Sequence, residues 1–284
     1  MDNKWLDDLP LASIRRVYEV QGGDVNQAYH LETNEGDYFL LVQPNRSEVF
    51  FASEIAGLQA FKAAGIRAPE VIASGEIQDD AYLLLEFLQE GRGSQGELGQ
   101  LVAKLHRQHQ PDSRFGFHLP HHGGAISFDN QWTVSWVELF VYRRLDVLCD
   151  ALVAKGRWKE AEANQYTAVR EQIIHELTQH ASEASLLHGD LWSGNYMFLS
   201  DGTPALFDPS PLYGDREFDI GITTVFGGFS SEFYEVYQQD YPMTKGWEHR
   251  LKYYRLYLWL VHLDKFGESY AASVQREMDE ILAI

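Results

Sequence analysis

Apolar and polar positions alternate in the first part of the chain in the manner of strands, over residues 14–20, 28–33 and 38–42. Turn residues separate them: Gln21-Gly22-Gly23-Asp24 and Asn34-Glu35-Gly36-Asp37. The period predicts a β-meander with a glycine turn. From Val49 the spacing lengthens, with Phe51, Ile55, Leu58 and Phe61 at helical intervals and Gly65 as a stop. Pro69 and Gly75 then bracket one strand, and residues 81–87 form another. The predicted order is β-β-β-α-β-β.

After Gln89-Glu90-Gly91-Arg92-Gly93-Ser94 the pattern turns helical, with Leu98, Leu101, Val102, Leu105 and His106 on one face. Further helices are predicted over 136–152 and 161–180, and the chain returns to helix from 220 to 284. The run Ser185-Leu186-Leu187-His188-Gly189-Asp190 and the short apolar run Ala205-Leu206-Phe207-Asp208 read as a loop with small strands interrupting this half. Residues 107–132, rich in Gly, Pro and His, read as an irregular insertion, and no internal repeat is visible. The division is therefore α+β: a lobe of residues 1–88 with an antiparallel sheet and one main helix, and a larger, mostly helical lobe of residues 89–284.

Composition narrows the class. The chain has 284 residues, and 45% hydrophobic content is enough for an extensive core. With 42 acidic against 23 basic residues and a formal charge of −19, there is no broad attractive field for nucleic acid or anionic membrane. A nucleotide is still compatible, because local N–H groups, basic side chains and Mg²⁺ hold phosphates against a global charge. The single cysteine, Cys149, cannot form an internal disulfide, and the first residues lack the apolar run of a secretory signal, so a cytoplasmic location is expected. The most apolar stretch, 253–263, is short and carries Arg255, so no membrane span is expected.

The candidate chemistry lies in His188-Gly189-Asp190-Leu191-Trp192-Ser193-Gly194-Asn195. Asp190 and Asn195 have the Asp-to-Asn spacing of a kinase catalytic loop. Phosphoryl transfer needs a carboxylate to orient the attacking hydroxyl and accept its proton, and oxygen ligands for the metal that bridges the phosphates. Asp190 fits the first role and Asn195 the second. Asp208, at the end of an apolar run and before Pro209, is suited to be a second Mg²⁺ ligand. Each of these residues alone has an ordinary reading as a helix cap, turn residue or strand end; together they form a much narrower pattern. His188 reads as a brace for the loop. The residues expected to bind ATP are Gly22, Gly23 and Asp24 in the glycine turn, Glu54 on the first main helix, and Glu86 and Leu88 at the end of the last strand before the boundary.

The segments Leu187-His188-Gly189-Asp190-Leu191-Trp192-Ser193-Gly194-Asn195, Asp208-Pro209-Ser210 and Tyr213-Gly214-Asp215-Arg216-Glu217-Phe218-Asp219 resemble the fructosamine (ketosamine) kinase family. The similarity extends to Gly22-Gly23, Phe51 to Glu54, Gly57-Leu58 and Phe226-Gly227-Gly228-Phe229, and so covers most of the chain. The resemblance implies a two-lobed, protein-kinase-like fold that phosphorylates a sugar hydroxyl of a ketosamine. It implies Asp190 as base, Asn195 and Asp208 on Mg²⁺, and Trp192 lining the substrate pocket with its indole against a sugar face. Asp215 is placed with the substrate residues, and Asp215 and Asp219 are expected to anchor the following helix with Arg216.

One position departs from the family pattern. The family's strand lysine, which Glu54 would hold for the phosphates, aligns with Leu41 in Phe39-Leu40-Leu41-Val42-Gln43-Pro44, where there is no cation. Gln43 faces the same side of the strand and supplies no charge. The kinase reading then needs a basic group from elsewhere opposite Glu54. Two alternatives follow: a nucleotide-binding pseudokinase, or a kinase for an aminoglycoside or another amino-alcohol, to which the net negative charge is permissive. The intact Asp190, Asn195 and Asp208 favour catalysis. The oligomeric state is not legible.

Overall fold

In the computed structural model, which describes residues 3–20, 26–123 and 126–283, the alternating stretches pair as a five-stranded antiparallel sheet. Its strands β1 (Arg16–Val20), β2 (Gln27–Glu32), β3 (Asp37–Gln43), β4 (Val71–Ile77) and β5 (Asp80–Glu86) lie in the order β1-β2-β3-β5-β4. A short helix, α1 (Asn3–Asp7), precedes the sheet, and α2 (Ala52–Ala63) follows β3 after a single 3-10 turn, Glu48–Phe51. Two-residue alternation sends Leu31, Leu40, Val42, Tyr82 and Leu84 to one face, where Trp5 and Leu9 cover them. The Trp5 indole N–H donates to the Ile77 carbonyl at 3.2 Å, which gives the buried ring its polar partner. Helix α1 is too short to show a helical period, so the sequence pattern missed it.

β5 is buried from Ala81 to Leu85, on both faces. Its second face carries Leu83 and Leu85, and the turn Glu48–Phe51 packs against the strand, with Phe51, Leu58 and Phe61 buried beyond it. Complete burial of one such side chain contributes about 1.5–3 kcal/mol. Because Leu41 is paired with Leu83 and Gln43 with Ala81, both point to this second face.

The chain separates into two compact units. One is Met1–Ser94 together with Tyr196–Pro209, the other Gln95–Asn195 together with Ser210–Ile284. A single cut at residue 89 therefore differs from this division in two respects: the first boundary falls after Ser94, and a later segment returns to the first unit. The hairpin formed by Tyr196–Phe198 and Pro204–Leu206 belongs with the sheet unit, through a Glu90–Leu199 bridge, Gly91 N–H donating to Phe198 O at 2.7 Å, and Leu206 N–H donating to Arg67 O at 2.9 Å. Glycine at 91 permits this approach, since a Cβ there would stand 2.3 Å from the Leu199 carbonyl oxygen.

The second unit is helical: α3 (Gln95–His106), α4 (Asp146–Ala154), α5 (Glu160–Gln179), α6 (Glu217–Thr223), α7 (Ser231–Asp240), α8 (Trp247–Phe266) and α9 (Ala271–Leu282). The helix expected over 136–152 is instead a π-helical stretch, Glu138–Leu145, running into α4. Within it, buried Arg144 donates to the Leu139 carbonyl and to Asn130 Oδ1. Apolar spacing alone does not distinguish such a widened turn from an α-helix. The expected irregular insertion contains a small hairpin, His121–Gly123 with Ile126–Phe128. Trp136, Phe140, Phe218 and Tyr254 stack in the core, with the Trp136 indole N–H on the Tyr254 hydroxyl at 3.0 Å. Among the described residues no helix is long and apolar enough to cross a membrane.

Candidate active site

The short strand Ser185–Leu187, paired antiparallel with Leu212–Gly214, delivers the chain to His188. Gly189 then takes a left-handed conformation, φ +83°, and a Cβ there would stand 1.8 Å from the Ser210 carbonyl oxygen. Only glycine fits this turn. Ser210 N–H donates to His188 O at 2.8 Å, tying the loop to the segment that returns after Pro209.

Beneath the loop, buried Asp219 of α6 accepts the His188 N–H at 2.7 Å and the Gly189 N–H at 2.9 Å, one on each carboxylate oxygen. His106 at the end of α3 holds the same carboxylate through Nε2 at 3.1 Å and meets the Tyr237 hydroxyl through Nδ1 at 2.8 Å. Charge-assisted bonds of this kind fix the backbone before Asp190. Asp190 N–H donates to His188 Nδ1 at 3.3 Å, so the His188 ring braces the loop from within. Asn195 folds back, its Nδ2 donating to the Asp190 carbonyl at 2.8 Å and to Asp190 Oδ2 at 3.1 Å. Burial first, and the Asp190 charge as well, push the Tyr257 hydroxyl up to about 12 against the opposing effect of Arg144.

Trp192 is 40% exposed, its indole resting over Gly194, where a Cβ would stand 2.2 Å from the ring. Asp215 is buried: it accepts Ser182 Oγ at 2.7 Å and the Glu217 N–H at 2.9 Å, and pairs with His180 Nε2 at 3.0 Å. Glu217 is gripped by Arg250 through Nη2 at 2.6 Å and Nε at 2.7 Å. His180, Asp215 and Glu217 have the composition of a metal site, but the Arg250 cation already neutralises Glu217. Arg216 is not the expected partner of Asp215 and Asp219. Its guanidinium donates to Tyr237 Oη and to the Tyr241 and Pro242 carbonyls and stacks 3.7 Å from the Tyr241 ring centroid. Sequence reasoning missed the roles of His106, Tyr237 and Arg250; the one visible signal was a histidine on the apolar face of α3.

In the sheet unit, Gly22, Gly23 and Asp24 lie outside the described residues. Glu86 closes β5, and Arg67 grips its carboxylate bidentately at 2.6 and 2.7 Å; Leu88 follows, half-buried. Asp208 is exposed at the end of the hairpin segment with φ +54°, a strained backbone for a non-glycine residue. Glu54 is half-buried on α2, and among the described residues it has no ion-pair partner. The basic group expected opposite it is not found there. Burial first, and then the neighbouring Asp208 charge, hold its carboxyl well above the usual range. In the same unit, Gln43 Oε1 and Ser53 Oγ are buried and have no hydrogen-bond partner among the described residues.

The raised Glu54 carboxyl has a consequence for stability. In the unfolded chain it ionises in the ordinary carboxylate range, while the folded protein retains the proton to higher pH. The native state thus binds more protons over that window, and stability falls as pH rises through it. Glu54→Gln removes this slope: its melting temperature is expected to match wild type near about pH 4 and to exceed it increasingly towards about pH 8. Parallel thermal melts across pH measure the effect, and parallel curves for the two proteins would contradict it.

An antiparallel sheet with one main helix, joined to a helical unit that carries an Asp-to-Asn loop, defines a phosphotransferase of the protein-kinase-like fold. The family profile described as fructosamine kinase matches residues 4–284. A probable ketoamine kinase of Staphylococcus aureus is 59% identical over 283 residues, covering 99% of this chain and 98% of its own. A chloroplastic protein-ribulosamine 3-kinase of Arabidopsis thaliana is 31% identical over 274 residues, covering 95% and 83%. The chain belongs to the fructosamine kinase family. A crystal structure from Haemophilus somnus, provisionally named a fructosamine-3-kinase, superposes with a TM-score of 0.84 at 24% identity, covering 95% of this chain and 92% of that one, and shares the fold.

Proposed function

We propose that this chain transfers the terminal phosphoryl group of ATP to a sugar hydroxyl of a ketoamine, with Asp190 orienting that hydroxyl and accepting its proton. The observation that carries this reading is the loop from His188 to Asn195. Its backbone is fixed by Asp219, and Asn195 holds Asp190 through both carbonyl and carboxylate. A pre-set carboxylate suits phosphoryl transfer, in which positioning and charge stabilisation do most of the chemistry. The names of the relatives, ketoamine kinase and ribulosamine 3-kinase, agree with an acceptor that joins a sugar to an amine.

Asn195 and Asp208 are the proposed Mg²⁺ ligands. The donor chemistry fits: hard oxygens, and at Asp208 a neighbouring carboxylate, Glu54, whose repulsion a divalent cation relieves. Bound there, Mg²⁺ would neutralise the negative charge that develops on the transferred phosphoryl group. The sheet unit, with Glu54, Glu86, Leu88 and the turn Gly22-Gly23-Asp24, is assigned to the nucleotide, and the helical unit to the acceptor. Trp192, partly open beside Asp190 in sequence, offers an aromatic face for a sugar ring. Asp215, enclosed by His180, Ser182 and the Glu217 N–H, holds the start of α6.

Incubating the purified protein with Mg²⁺, ATP and fructosyl and ribulosyl adducts of simple amines tests the reading. The expected result is ADP release matched by a phosphate-sized mass gain on the adduct. No product with any ketoamine overturns it. A second reading, nucleotide binding without transfer, is favoured by one observation, Leu41 at the expected lysine position with no basic partner on Glu54 among the described residues. A thermal shift with ATP and no transfer would select it.

A further inference from the structure

A small cavity of about 10 Å³ borders the catalytic loop, lined by Arg144, Tyr257, His121 and Phe218 and, from the loop and the segment tied to it, by Gly189 and Ser210. Its volume is the room of a single water-sized particle. The backbone donors on its loop side are already spent, the Gly189 N–H on Asp219 and the Ser210 N–H on the His188 carbonyl. Two side chains on its helical side are not.

The first is Arg144, 2% exposed. A guanidinium carries five N–H donors, and among the described residues this one reaches two acceptors, both neutral: the Leu139 carbonyl and Asn130 Oδ1. It lies over the Phe128 ring, 5.6 Å from the centroid, and makes no ion pair among the described residues. The nearby acids Asp129 and Glu138 are taken by Arg143, at 3.4 and 3.1 Å. Burial pulls Arg144 down to about 10, with Arg143 adding to this and Tyr257 and Asp129 opposing it, so it is still a cation at neutral pH. The second is Tyr257 on α8, 7% exposed and packed against Phe128, Phe140 and Phe218. Its hydroxyl has no hydrogen-bond partner among the described residues. A buried cation with only neutral partners is costly, and each buried donor left without an acceptor adds to the cost.

We propose that this cavity binds one monoatomic halide ion, chloride in ordinary buffers, held by the Arg144 guanidinium and the Tyr257 O–H. Charge decides against water, which accepts a hydrogen bond but leaves the guanidinium uncompensated; an anion meets both needs. Size decides against phosphate, sulfate and carboxylates, each of which has several heavy atoms. Of the two charges that reach Tyr257, Arg144 acts more strongly than Asp190, so the net field there favours an anion. The bound ion ties α8 and the π-helical stretch Glu138–Leu145 to the loop at Gly189. It is separate from the nucleotide phosphates and their metal, and its effect on the fold needs neither.

The test compares thermal melts in sodium chloride and in sodium gluconate of equal ionic strength, gluconate being too large to enter. Chloride is expected to raise Tm by about 2–5 °C over gluconate, in a saturable way. Tyr257→Phe keeps the ring and its packing but removes the O–H, and is expected to raise the chloride concentration needed for half of that gain roughly tenfold. Crystals of the wild-type protein soaked in sodium bromide are expected to show an anomalous peak between Arg144 and Tyr257. Equal melting in chloride and gluconate, an unchanged chloride dependence in Tyr257→Phe, or bromide crystals with ordinary water density and no anomalous signal in the cavity would each overturn the site.

Discussion

Asp190→Ala is expected to lower kcat for phosphoryl transfer by roughly 10²–10⁴-fold while nucleotide binding persists. The reason is local. Asp190 is the carboxylate that Asn195 and the His188 ring hold in place, at 3.1 Å from Asn195 Nδ2 and with its own N–H on His188 Nδ1. Removing it deletes the group proposed to accept the proton and aim the hydroxyl. The fold loses the carboxylate's hydrogen bond from Asn195, a change on the order of 1 kcal/mol or a few degrees in Tm. The measurement is a steady-state assay alongside a thermal shift with ATP. Undiminished turnover in the variant rules out Asp190 as the base.

Gly189→Ala is expected to do more damage to the protein itself. Two effects combine: a left-handed φ, which costs an alanine about 1–2 kcal/mol, and a Cβ placed 1.8 Å from the Ser210 carbonyl oxygen. The backbone must shift, and with it the N–H groups that Asp219 receives at 2.7 and 2.9 Å. A stability loss of roughly 3 kcal/mol or more is expected, together with at least about a 100-fold loss of transfer, since ångström-scale displacement of a catalytic group has that effect. Gly156→Ala is the control. Its φ is +68°, but nothing lies within 4 Å of the added Cβ. It keeps the conformational cost and lacks the clash, so activity is expected to be retained. Equal behaviour of the two variants in melts and assays would show that the clash is relieved elsewhere.

The parts of the fold that were legible in the sequence are those in which a local period decides. β3 buries alternate and β5 continuous apolar residues, and α2 buries Leu58 and Phe61 at helical spacing, so their order was readable. Helix α1 has a single turn, and the stretch Glu138–Leu145 widens for reasons that lie in Arg144 and Asn130, so neither leaves a periodic trace. Asp190 and Asn195 were legible together because they share one loop and touch. What holds that loop was not: Asp219, His106 and Tyr237 come from three helices far apart in sequence, and only folding brings them to one carboxylate. The Arg216 partner was misread for the same reason, its guanidinium being claimed by Tyr237, Tyr241 and the Pro242 carbonyl instead of the adjacent acids. Leu41 was read as standing where a strand lysine is expected, and the structure adds that Glu54 neighbours Asp208 and is held towards its neutral form.

The hairpin at 196–209 also sets a timetable. The sheet unit is encoded in two pieces, and the second emerges from the ribosome only after α3, α4, α5 and the catalytic loop have been made. During synthesis the five strands can assemble early, but the backbone of 89–91 and Arg67 wait for Phe198, Leu199 and Leu206. A nascent chain halted at Ser94 therefore presents an unfinished edge. The unit assigned to the nucleotide is completed only once the loop assigned to the chemistry already exists, so no early fragment can hold a finished version of the first without the second.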